Sequence, residues 1–123
     1  MIEEYHFGSI IVDGKSYEYD IEVRSGKKEA KILDWWRKES HIIDVADIKR
    51  AADEEPKVII IGTGHSGSAK VTSEAQDFIK GRGIELIIDN TEEAVKTFNV
   101  IAEESEGEEG KSKEVIGLFH LTC

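Results

Sequence analysis

The chain has 123 residues, of which 39% are apolar and 34% charged, a size and balance that fit one compact domain over residues 1–123 with a single core. Its 26 acidic and 16 basic residues leave a net charge of −10, which repels phosphate backbones and anionic lipid, so neither nucleic acid nor membrane is expected as a partner. No apolar run approaches the roughly 18 residues of a spanning helix, and Met1-Ile2-Glu3-Glu4-Tyr5-His6 lacks the basic and apolar regions of a signal peptide.

A cytoplasmic, unprocessed chain is therefore expected. Cys123 is the single cysteine, which excludes an internal disulfide, a redox pair or a thiolate zinc knuckle. The high charge with one Met and one Cys would suit a thermophile.

In chain order, Phe7–Val12 and Tyr17–Val23 read as strands joined by a hairpin at Asp13-Gly14-Lys15. A turn at Ser25-Gly26-Lys27 leads to a third strand over Ala30–Trp36, whose alternation sends Trp35 and Trp36 to opposite faces. Asp44 is placed to cap a helix bearing Val45, Ile48 and Ala52, which Pro56 ends. Lys57–Ile61 is a run of β-branched residues, the pattern of a strand covered on both faces, and is expected to be central.

Ser73 and Gln76 make a capping box for a second helix with Ala75, Phe78 and Ile79 inward and Gly81 at its end. Ile84–Ile88 follows as another buried strand. Thr91 can cap a third helix with an apolar stripe of Ala94, Val95, Phe98, Ile101 and Ala102 and a Glu92–Lys96 pair. Ser105–Glu114 reads as an acidic, glycine-bearing loop, and Val115–Leu121 as the last strand. The whole is a mixed α/β domain: an N-terminal antiparallel meander, then a C-terminal βαβαβ unit.

Gly62-Thr63-Gly64-His65-Ser66-Gly67 is a G-x-G-x-x-G directly after a strand, and Asp89 ends the next strand where a ribose-binding acid would stand. In a dinucleotide site the last glycine opens the helix that holds the pyrophosphate. Here the helix cap comes several residues later, and the chain is too short for a second mononucleotide half. A sharp turn out of a buried strand explains the glycines as well, and a smaller anion held by the loop amides is a third reading. A P-loop is excluded, since Lys70 does not follow a glycine and Val71 stands where Ser or Thr is required.

The histidines His6, His41, His65 and His120 lack the i, i+4 spacing of a helical metal site, so neither metal nor cofactor is expected. His120 and Cys123 are three apart, which on a strand puts them on opposite faces rather than in a base–nucleophile pair. If the three strands of the βαβαβ unit run parallel, their carboxyl ends collect Gly62, Thr63, Gly64, His65, Gly67, Asp89, His120, Thr122 and Cys123 at one edge, where ligands of open α/β sheets bind. Trp35 and Trp36, one core and one exposed beside Arg37, form a candidate protein-interaction patch.

The run Gly62-Thr63-Gly64, the segment Ser68-Ala69-Lys70-Val71, Gly83-Ile84, Thr91 to Lys96 with Phe98-Asn99, and the ending Phe119-His120-Leu121-Thr122-Cys123 together resemble the adipogenesis-associated Mth domain family. The likeness covers nearly the whole chain, and Asp34-Trp35-Trp36-Arg37 is similar to an Asp-Trp-Arg run of some members. Phe98 stands where the family often has tyrosine, which removes any role for a phenolic hydroxyl there.

The resemblance implies a single three-layer α/β domain. It also implies a protein without established enzymatic activity, since members with known biology look like adaptor, regulatory or assembly proteins. Three readings follow in order: a non-enzymatic interaction or assembly module with a protein partner; a small-anion or nucleotide-like ligand domain at Gly62–Gly67; and an enzyme using His120 or Cys123. A homo-oligomer is left open.

Overall fold

A computed structural model describes residues 1–26, 29–106 and 114–123. Among them the chain forms an antiparallel sheet of β1 (Ile2–His6), β2 (Ser9–Val12) and β3 (Lys15–Tyr17), then the main sheet and its helices. The main sheet is built of β4 (Ile21–Arg24), β5 (Lys31–Asp34), β7 (Val58–Thr63), β9 (Glu85–Asp89) and β10 (Val115–His120) in the order β5-β4-β10-β7-β9. A short parallel pair, β6 (Ile42–Ile43) and β8 (Lys70–Val71), precedes α1 (Val45–Asp53) and α2 (Ser73–Gly81), and α3 (Thr91–Glu106) precedes β10. The expected mixed α/β domain with antiparallel N-terminal strands and a βαβαβ unit is what forms.

Alternation along the strands divides the core. Val58 and Ile60 of β7 and Val115 and Phe119 of β10 join Ile10, Val12, Ala94 and Phe98 on the face covered by α3 and the small sheet. Ile59, Ile61, Ile116 and Leu118 join Ile48, Ala52, Ala75 and Ile79 under α1 and α2. A sheet with cover on both faces needs such doubly apolar strands. Phe98 and Phe119 stack edge-on with centroids 5.8 Å apart, and Gly117 makes room: a Cβ there would lie 2.4 Å from the Phe119 ring. On β4 the other face is ionic, with Glu22 receiving Arg24 Nε at 2.6 Å and Arg50 Nε of α1 at 3.1 Å.

Several expectations are corrected. The strand expected over Tyr17–Val23 is two strands in two sheets, broken around Asp20, and β1 precedes them. The central strand is β10, flanked by β4 and β7, rather than β7. The supposedly buried Ile84–Ile88 is β9, an edge strand with Ile88 39% exposed.

Each predicted helix cap beyond α1 is one residue late. Thr72 caps α2 by accepting from the Ala75 amide, and Asn90 receives the Glu93 amide at the start of α3. Thr91 is thereby freed for a different use. Asp44 caps α1 as expected, in a capping box closed by Asp47. Lys96 pairs with Glu93 at 3.3 Å instead of with Glu92. Of the loop expected over Ser105–Glu114, residues 107–113 lie outside the described residues, and 105 and 106 finish α3.

Candidate functional site

β10 pairs in parallel with β7, which pairs in parallel with β9, while β4 runs antiparallel to β10 and β5 antiparallel to β4. The ends of β5, β7, β9 and β10 and the start of β4 therefore meet along one edge of the sheet. This is the edge the sequence picks out, and His120 is the register partner of Thr63 at it. A Cβ on Gly64 would lie 2.9 Å from His120 Cδ2 and 2.6 Å from the Thr122 carbonyl oxygen. The glycine loop and the end of β10 are thus packed directly on each other.

The floor of this edge is a polar network in which, among the described residues, only the buried Arg37 Nε lacks a hydrogen-bond partner. His120, nearly fully buried, donates from Nε2 to the main-chain oxygen of Cys123 at 2.8 Å, because a carbonyl oxygen can only accept. Its Nδ1 lies 2.7 Å from Asp20 Oδ2 and 2.9 Å from an Arg37 NH2. Nδ1 accepts from Arg37 in the neutral ring and donates to Asp20 in the imidazolium. Arg37 also donates to Asp20 Oδ2 at 2.7 Å, and Asp20 Oδ1 accepts the Leu121 amide at 2.8 Å.

Burial alone would raise the Asp20 carboxyl, but hydrogen bonds from His120, Leu121 and Arg37 outweigh it and hold the pKa below the ordinary aspartate value. Both ring nitrogens of His120 are committed inside the fold, so neither is offered to a substrate as a base.

Thr91 is the bolt between loop and strand: its hydroxyl donates to the His120 carbonyl and accepts the Gly64 amide at 2.9 Å. The His65 amide donates to Thr122 at 2.9 Å and the Gly67 amide to Gly64 at 3.2 Å. Three of the loop amides expected to be available to an anion, those of Gly64, His65 and Gly67, are spent on protein acceptors. Gly62 packs against Thr91 and Phe119, where a Cβ would stand 2.8 Å from the Thr91 hydroxyl. The glycines thus have a packing reason. Gly67 lies in a turn, with α2 opening only at Ser73, which leaves a pyrophosphate no helix N-terminus beside it.

Of the remaining pocket residues, His65, Asp89, Thr122 and Cys123 are exposed, and Asp89 Oδ1 accepts the next amide, that of Asn90, at 2.8 Å. Tyr5 joins the edge without a sequence signal beyond its place in β1. Its hydroxyl donates to the Leu121 carbonyl at 3.1 Å and lies 3.5 Å from His65 Nδ1. Burial, then Glu92, Asp20 and Cys123, push its pKa up, so it stays a neutral donor.

Trp35 and Arg37 turn inward. Trp35 donates its indole N–H to the Asp47 carbonyl at 2.9 Å, and the Arg37 guanidinium sits 4.5 Å from the Trp35 ring centroid. Trp36 alone of that trio faces out, at 83% exposure. The sequence missed two companions. The Trp35 amide donates to the Asp20 carbonyl, and Tyr19 and Trp36 each stand one residue beyond that bond. Phe7 adjoins Gly8, whose amide donates to Leu121, and packs edge-on against His65 at 5.6 Å. With Phe7 at 56% and Tyr19 at 51% exposure, three exposed aromatics rim the floor.

No helix among the described residues is long and apolar enough to cross a membrane, and no cluster of His, Cys, Asp or Glu among them could hold a metal ion. These features define a small α/β domain with an internally bonded polar cluster at the carboxyl edge of its sheet and three exposed aromatics beside it. By sequence, residues 2–115 match the family described as a protein of unknown function (DUF498/DUF598), and the chain belongs to that family.

Its fold is similar to that of a conserved hypothetical protein from Pyrococcus horikoshii, at 25% identity and a TM-score of 0.81 over 100% of this chain and 99% of that one. It is also similar to a protein described as an outer membrane protein of Bartonella henselae, at 21% identity and a TM-score of 0.75 over 99% and 94%. A third similar structure, from Bordetella parapertussis, gives 21% and 0.72 over 97% and 94%.

Proposed function

We propose that the chain is a non-enzymatic interaction or assembly module whose contact surface is the aromatic rim at the carboxyl edge of the main sheet. The observation that carries this reading is the exposure of Phe7, Tyr19 and Trp36 around a floor whose polar groups bond one another. Exposed aromatics supply large contact area at low entropic cost and dominate interface energies. The resemblance to the adipogenesis-associated Mth domain family supports the same reading, and the partner is taken to be a protein met in the cytoplasm.

The ligand-binding alternative at Gly62–Gly67 has less support, because the Gly64, His65 and Gly67 amides already have acceptors. The test is a photo-crosslinking amino acid installed at position 36 in cells of the native source, with position 100 as control. Val100 is 55% exposed on α3 and lies off the rim. Discrete adducts from position 36 alone are expected; the same adducts from both positions, or none from either, would contradict the proposal. A thermal-shift panel of phosphates, nucleotides and dinucleotides should give no response, whereas a ligand at a hundred times its Kd would add about 2.7 kcal/mol.

A further inference from the structure

The two edges of the main sheet are finished differently. On β5 the Trp35 amide points inward to the Asp20 carbonyl, so the main-chain groups of Asp34 point outward, and Arg50 of α1 takes up one of them by donating to the Asp34 carbonyl at 2.6 Å. On β9 the Glu85 amide donates inward to the Lys57 carbonyl, and the Asp89 carbonyl accepts inward from the Thr63 hydroxyl at 3.0 Å. By alternation, the N–H and C=O groups of Leu86 and Ile88 point away from the sheet. Among the described residues no strand lies on that side. An open strand edge of this kind is a template for another strand.

The side chains of β9 say what kind of strand. Leu86 and Ile87 are half-buried, Ile88 is exposed, and the strand begins and ends with exposed acids, Glu85 and Asp89. The nearby base Arg82 is already paired with Asp53 at 2.6 Å. A second copy is a poor occupant. A two-fold axis through Ile87 would set Glu85 opposite Asp89 twice, and each chain carries a net charge of −10. Like charges directly opposite one another destabilise a strand pair, and opposite charges stabilise it. The acids therefore guard the edge against self-pairing and select a complementary strand.

We propose that the outer edge of β9 is a docking site for an extended segment of another protein, with an apolar centre of three residues flanked on each side by a basic residue. Such a segment extends the main sheet by one strand. The backbone groups of Leu86 and Ile88 supply the pairing, and Glu85 and Asp89 supply the selectivity. This proposal does not rest on the aromatic rim, which is a separate surface.

The experiment is an NMR titration of the whole chain with an end-blocked peptide, Gly-Ser-Lys-Val-Ile-Val-Lys-Ser-Gly. Saturable shifts centred on the Leu86 and Ile88 amides are expected, with the free chain monomeric by sedimentation. Ile88→Pro removes an outward N–H without touching the inner ladder, and should weaken binding at least tenfold while leaving the melting temperature within a few degrees. Glu85→Lys should weaken binding of this peptide and favour the peptide with Glu in place of both Lys, a comparison that stands even if the proline variant folds poorly. Shifts centred elsewhere, no saturable binding, indifference to Glu85→Lys, or a dimer that Ile88→Pro dissolves would each overturn the proposal.

Discussion

The floor and the rim of the carboxyl edge lie within a few residues of each other in sequence, yet they spend their side chains in opposite ways. Asp20, Arg37, His120 and Thr91 are drawn inside and bond one another or the backbone. Tyr19, next to Asp20, and Trp36, next to Arg37, point into solvent. The residues that a search for catalysis finds first are the ones that hold the edge together. The large side chains left free beside them are aromatic, which suits recognition.

If this division is correct, floor substitutions should cost stability and rim substitutions should not. The largest loss is expected from Asp20→Ala, which strips a largely buried carboxylate from Arg37 and His120 and leaves the buried Arg37 guanidinium without its ion pair. About 3–5 kcal/mol is the usual scale for breaking a buried pair in this way, and urea unfolding would read it. Arg37 is the sensitive partner, since its Nε is already buried without a hydrogen-bond partner among the described residues. A loss below about 1 kcal/mol would mean that water reaches the network.

Next comes Gly64→Ala. The φ of Gly64 is +105° and its Cβ position is occupied by the Thr122 carbonyl, so strain and overpacking should together cost about 1–3 kcal/mol. A neutral effect would show that the segment after β10 is not held against the loop.

The Asp20 network also has a pH signature. Its folded pKa is lowered, so the stabilisation is fully present above the unfolded aspartate value of about 3.9 and is lost as pH falls through the lower folded value. The stability difference between the parent and Asp20→Asn should therefore shrink as pH falls below about pH 4. Comparing the two cancels the other lowered acids, Asp13, Asp44 and Asp53. A difference that persists unchanged to about pH 2 would contradict the assignment.

How much of this was legible in the sequence follows the same division. The βαβαβ unit could be read because β7 and the helices carry unbroken apolar patterns, and the meeting of Gly64 with His120 follows from parallel crossovers alone. The hairpin of β2 and β3 could be read from Asp13-Gly14, but β1 could not: Ile-Glu-Glu-Tyr-His has one fully buried residue and is held by pairing with β2 rather than by alternation.

β10 hid its central place because Gly117 and His120 interrupt its apolar run, and each is explained only by a distant partner, the Phe98–Phe119 stack for one and Asp20 for the other. Asp20 looked like part of a strand, since nothing local shows a carboxylate waiting for the amide of Leu121. The caps of α2 and α3 were misplaced by one residue because neighbouring Thr, Ser and Asn side chains are all competent caps, and tertiary bonds decided which one served.

The most direct test of the central claim is Trp36→Ala, measured on one preparation for stability by urea unfolding and for formation of the partner complex found by crosslinking. An unfolding free energy within about 0.5 kcal/mol of the parent, as for an exposed side chain, is expected together with at least a tenfold loss of the complex. A loss of stability above about 1 kcal/mol with the complex intact would make Trp36 part of the fold and leave the rim without a role.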